Sequence, residues 1–208
     1  MRVVFEVPPF FQEITPGLDP DAAHTAAITR LGARAAALSE QELDETVTTY
    51  RLASQTLADT GVFYAATCLG TINGDGSMGT LTLARQPLTY RDARIAAEGI
   101  AEIMTSRRPG GTSTVEMLGL PCGEAVLVFD RTAALRIPAE LTEYGADIPI
   151  DVAQLQAFVP VPQQTVPGAQ ELVVVTFGTP STDHWADYCE IMAALLRTLR
   201  FTPGDSLS

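Results

Sequence analysis

Val62-Phe63-Tyr64-Ala65-Ala66-Thr67-Cys68-Leu69-Gly70-Thr71, followed after Ile72 by Asn73-Gly74-Asp75-Gly76, decides how this chain folds. The first ten residues are rich in β-branched and aromatic side chains and read as a strand. Asn-Gly tolerates the positive φ that a tight hairpin turn demands at its centre. Residues 77–85 then return as the partner strand. Strands joined by so short a turn pair antiparallel, so an antiparallel sheet is the expected frame.

Working toward the N-terminus, Ser39-Glu40-Gln41-Glu42 is a capping box that opens a helix. Leu43, Val47, Tyr50, Ser54 and Leu57 fall on one face of it, and Gly61 stands where a C-terminal glycine cap belongs. Asp19-Pro20-Asp21 opens an earlier helix, expected to run to about Ala37. Residues 2–7 read as a short first strand, and Pro8, Pro9, Pro16 and Gly17 break the chain after it.

Toward the C-terminus, a third helix is expected at about 90–106, with Ala93, Ala97, Ile100 and Met104 on one stripe. Strands follow at 112–118 and from Ala125 to Arg131, separated by the turn from Pro121 to Gly123. Residues 132–150 read as the longest irregular stretch. Two further strands are expected at 152–160 and 170–177, joined by a loop carrying Pro160, Pro162, Pro167 and Gly168. A last helix starts near Ser181, with Trp185, Cys189, Met192, Leu196 and Leu199 on one face, flanked by Tyr188 and Leu195. The expectation is a single α+β domain over 1–208: a mainly antiparallel sheet covered by helices, an α/β/α sandwich.

This element order resembles that of the Mog1/PsbP-like α/β/α sandwich family. So does the tail, where the apolar strand Leu172-Val173-Val174-Val175-Thr176-Phe177 leads at once into an amphipathic helix. The resemblance implies an accessory or partner-binding protein rather than an enzyme. A second similarity is to actinobacterial secretion chaperones, which have a central antiparallel sheet with helical flanks.

Composition narrows the chemistry. Of the 208 residues, 46% are hydrophobic and 18% charged, a globular balance. The formal net charge of -12 repels nucleic-acid phosphates and anionic lipid, which disfavours both as partners, and suits a basic protein surface. There is no lysine; all 13 basic residues are Arg. That excludes a Walker-type phosphate loop and a Schiff-base mechanism, and with the abundance of Ala it points to a GC-rich bacterial genome such as an actinomycete's. Cys68, Cys122 and Cys189 are odd in number and far apart, with no CxxC pair, so zinc-ribbon and thioredoxin signatures are missing and a reducing compartment is expected. Residues 1–8 lack the apolar run of a signal peptide, and no window is apolar enough for a membrane span. The expected location is the cytoplasm.

No complete catalytic, metal or cofactor motif emerges. His24 lies among alanines in the first helix. His184 opens the last helix beside Asp183 and within reach of Asp187 and Tyr188, where acid–base or metal chemistry is conceivable but a helix-terminal charge is the simpler account. Cys122 sits in a tight turn, expected to be exposed, with no local base. Cys68 and Cys189 fall in apolar patterns and read as core. Asn73-Gly74-Asp75-Gly76 lacks the remaining ligands of a calcium loop.

Arg107 and Arg108, before Pro109-Gly110-Gly111, offer two guanidiniums for an anion. Phe10 and Phe11, after Pro8-Pro9, form an apolar run that either caps the core or presents a binding patch. The expected function is a non-enzymatic interaction domain with an unknown protein partner, no cofactor, and a capacity for homodimerisation through the Asn73–Gly76 hairpin or the Phe10-Phe11 segment. The alternatives are a small-anion binder, a hydrolase using dispersed residues, or a secretion-chaperone-like protein.

Overall fold

The computed structural model of the chain describes residues 1–107, 113–137 and 147–204, with the backbone alone for 131–137. Asn73 and Gly74 take φ of 53° and 94°, and they join β3 (Val62–Ile72) to β4 (Asp75–Pro87) with Ile72 paired to Asp75. This hairpin belongs to a seven-stranded antiparallel sheet of order β2-β3-β4-β8-β7-β6-β5. The other members are β2 (Phe11–Ile14), β5 (Thr114–Leu120), β6 (Gly123–Ile137), β7 (Ile148–Pro160) and β8 (Glu171–Thr179). β1 (Arg2–Val4) and β9 (Arg200–Thr202) form a separate antiparallel ribbon that brings the two ends of the chain together.

Period-two alternation assigns the faces. Cys68, Leu81, Leu83, Leu127, Leu155, Val173, Val175 and Phe177 point into one core, which α4 (Trp185–Thr198) closes with Tyr188, Met192, Leu195 and Leu196. The intervening residues Val126, Val128, Phe158 and Leu172 point the other way, onto Ala97 of α3 (Ala93–Ser106), with Ile100 and Met104 beside it. α1 (Pro20–Leu31) and α2 (Glu40–Asp59) lie on this second face, over the β2–β3 end, where Arg30 bonds Thr67. The sheet is thus covered by helices on both sides, as expected.

Several elements differ from the expectation. The first strand ends at Val4, and the Phe10-Phe11 segment enters the sheet as β2, with Phe11 opposite Cys68. α1 stops at Leu31 because Gly32 turns to φ 54°, and residues 32–37 continue as a 3₁₀ segment. The long irregular stretch is strand at both ends: β6 extends to Ile137 and β7 begins at Ile148, with Arg136 opposite Pro149. Residues 138–146 lie outside the described residues. The buried stripe of α4 is centred on Tyr188, Met192, Leu195 and Leu199, while Trp185 and Cys189 are half-buried. No helix among the described residues is long and apolar enough to cross a membrane.

Candidate binding site

On the α4 side, the tip of the β3–β4 hairpin carries small residues where the rest of the face carries large ones. Gly70 pairs with Ser77, and Cys68 pairs with Gly79. At Gly79 a Cβ would stand 2.6 Å from the Phe177 ring, so that position is already filled by its neighbour. Gly70 and Ser77 instead leave a hollow between the hairpin and α4. The result is a pocket of about 290 Å³, bordered by Phe10, Ile72, Tyr188 and Ile191 around Cys68, Gly70 and Ser77.

The pocket floor is polar but satisfied within itself. Tyr188 Oη and Ser77 Oγ are 2.7 Å apart, and Cys68 Sγ lies 3.5 Å from the same hydroxyl. All three side chains are buried. Burial pushes the Tyr188 phenol up to about 12, so it stays protonated at neutral pH and cannot take a proton from Ser77. No His, Asp, Glu or Arg lines the pocket. The arrangement therefore has hydroxyls without a base to activate them. It can hold an apolar group and offer it one rigid hydroxyl pair.

The rim is apolar and open. Phe10, at the mouth, is 48% exposed, while Leu69, 73% exposed, and its cross-strand partner Met78, 47%, stand beside the hollow with their side chains toward the α1–α2 face. A second hollow of about 310 Å³ adjoins the first, running over Leu69, Gly70, Ser77 and Met78 to Pro180 and Ser181. Ser181 Oγ accepts from the Met78 N–H at 3.1 Å, which fixes the start of the α4 connection against the hairpin. Exposed Asp75 and Asp183 flank this region in the chain.

Of the residues expected from sequence to bind, Phe10 and Phe11 part company. Phe11 is buried, its ring 6.4 Å from Phe177, and Phe10 stays at the pocket mouth with its ring 5.0 Å from Phe11. Arg107 is exposed at the end of α3, where a cation complements the helix dipole. Arg108 lies outside the described residues.

His24 is exposed on α1. Cys122 is buried, not exposed, because the turn between β5 and β6 tucks it into the core; burial raises its thiol pKa, which makes it a poor nucleophile. His184 is buried at the start of α4, and its Nδ1 has no hydrogen-bond partner. Cys122 precedes Gly123, which packs on Pro162 beside the start of β8, whereas His184 follows the end of β8, so the length of that strand separates the two residues. They do not form a catalytic pair. No group of three His, Cys, Asp or Glu among the described residues is placed to hold a metal.

Sequence reading missed Tyr188, Ser77 and Gly70 as a unit. The signal was there, in a Gly and a Ser on the inward-facing positions of an otherwise large-residue hairpin, but which helix would stand opposite them is a tertiary fact. Comparison of the chain with protein-family models, with curated proteins and with solved structures returned no match.

Proposed function

We propose that this chain is a non-enzymatic protein-interaction domain that takes an apolar side chain of a protein partner into the pocket between the β3–β4 hairpin and α4. The observation that carries the reading is a pocket whose polar floor is already paired and lacks a base, opening past exposed Phe10 with Ile72 and Ile191 beside it. Apolar anchors set in such pockets carry most of the energy of protein interfaces. The net charge of -12, with Asp75 and Asp183 flanking the rim, suits a partner with basic residues around its anchor. The resemblance of the element order to Mog1/PsbP-like sandwiches agrees with an accessory role. The thiols of Cys68 and Cys122 suit a reducing compartment such as the cytoplasm.

A photocrosslinking residue at position 10, compared with one at exposed position 102 on the opposite face, tests the reading. Position 10 should give a discrete protein adduct that position 102 does not. Phe10→Asp should weaken binding of the identified partner by about tenfold or more with little change in melting temperature. The same adducts from both positions, or undiminished binding by Phe10→Asp, would overturn the proposal. So would substrate turnover by the purified chain that Tyr188→Phe abolishes.

A further inference from the structure

On the other face of the sheet, α1, its 3₁₀ continuation and α2 enclose a second cleft of about 590 Å³ above Gln12 and Leu69. Small side chains make room for it: Ala27 is buried on α1, and Ala53 faces the cleft from α2. Its polar groups are Arg30, Arg34, Gln12, Thr46, Thr49 and Tyr50, and its walls are Ala27, Leu31, Ala53 and Leu69. In a chain with 25 acidic and 13 basic residues, two arginines and no carboxylate line this space. The acids on the neighbouring turn of α2 are engaged: Glu42 closes the capping box with Ser39, and Glu45 accepts from Gln41.

The donors are free to serve a ligand. Arg34 makes no hydrogen bond or ion pair from its side chain among the described residues, where the salt bridge present is Arg94–Glu98. Arg30 gives one N–H to Thr67 Oγ1, which fixes its guanidinium toward the sheet and leaves its remaining N–H groups unspent. Thr46 and Thr49 already donate to the carbonyls of Glu42 and Glu45, so they act toward a ligand as acceptors only. Donation into the cleft therefore falls to Arg30, Arg34, Tyr50 and the Gln12 amide.

We infer that this cleft binds a small amphiphilic carboxylate, its anionic head held by Arg30 and Arg34 and its apolar body lying against Leu31, Ala53 and Leu69. Two planar forks match the two oxygens of a carboxylate. The apolar walls require a body that inorganic anions lack, and the volume is that of a small-molecule site. The cleft is distinct from the hairpin–α4 pocket, which lies across the sheet. Leu69 stands at the edge of both.

Octanoate, acetate, octanamide and inorganic phosphate, each titrated into the full chain at low ionic strength, test this by calorimetry and by the arginine Nε–Hε resonances. Octanoate should bind at least about tenfold more tightly than the other three, and the Arg30 and Arg34 resonances should move with it. Arg34→Gln should weaken octanoate by about tenfold, Arg34→Lys by less, and Arg51→Gln, on α2 outside the cleft, not at all. Arg34 holds nothing within the described fold, so its variant reads binding without disturbing packing. Octanamide or phosphate binding as tightly as octanoate, undiminished octanoate binding by Arg34→Gln, or stationary arginine resonances would each overturn the inference.

Discussion

Tyr188 shows how one side chain serves both packing and the pocket. Its ring stacks at 4.7 Å on Phe177, whose own edge occupies the space that Gly79 leaves empty. Its hydroxyl ends at Ser77 and Cys68. Tyr188→Phe should therefore cost about 1–3 kcal/mol, because it strands the Ser77 hydroxyl in a buried place. The pH dependence follows from the raised phenol. Burial favours the protonated form in the folded chain, so the stabilisation is complete below the ordinary tyrosine value of 10.0 and is lost as pH climbs toward about 12. Chemical denaturation from pH 8 to 12 should show stability falling most steeply above pH 10, with a shallower fall in Tyr188→Phe. The decline should persist in that variant, since Tyr64, Tyr90 and Cys122 are also raised by burial. At this scale, residues defined by local rules were legible: Asn73-Gly74 for the turn, Ser39 and Glu42 for the capping box, Gly61 for the helix end. Residues defined by what lies across the core were not. Cys122 sits in a turn and yet is buried, and Phe10 and Phe11 are adjacent and yet divide between rim and core.

Elements divide in the same way. α2, α3, β3, β4 and β8 carry strong periodicity over many residues, so sequence placed them well. β2 and β9 have four and three residues, too few for a period to declare itself, and they exist because β3 and β1 offer them partners. Pro149 reads as a breaker but lies in β7 opposite Arg136, near the strand's beginning. The alanine-rich run past Gly32 favours helix locally, and the left-handed glycine ends it. α4 was found as an amphipathic helix with its buried stripe rotated by one position toward Tyr188. That rotation does not affect Met192 and Leu196, which are buried in either reading. Each replaced by Ala should lose about 2–5 kcal/mol in urea unfolding, because both side chains are buried in this core and their removal leaves a cavity. Arg197→Ala, on the exposed side, should stay within about 0.5 kcal/mol.

For the whole molecule, the open question set by an antiparallel sheet is what becomes of its edges. β2 and β5 are the two edge strands, and β2 is only four residues long. β5 has seven residues, a single charge at Glu116, and two half-exposed apolar side chains: Met117 on the α3 face and Leu118 on the α4 face. The α3 helix beside it adds exposed Ile95 and Ile103. Two copies of β5 paired antiparallel about a two-fold axis at Met117 set Glu116 against Leu118 of the second copy, and Thr114 against Leu120. No like charges then stand directly opposite one another, and the two Glu116 carboxylates lie on a diagonal across the axis. The expected behaviour is a dimer that dissociates on dilution. Light scattering over a concentration series should fall toward the 22.2 kDa monomer mass. Met117→Lys, which puts two cations face to face on the axis, should hold the chain at that mass at every concentration, while Leu69→Asp should leave the dimer intact. A wild-type mass that stays at the monomer value in concentrated solution and moderate salt would show that the β5 edge is protected within one chain.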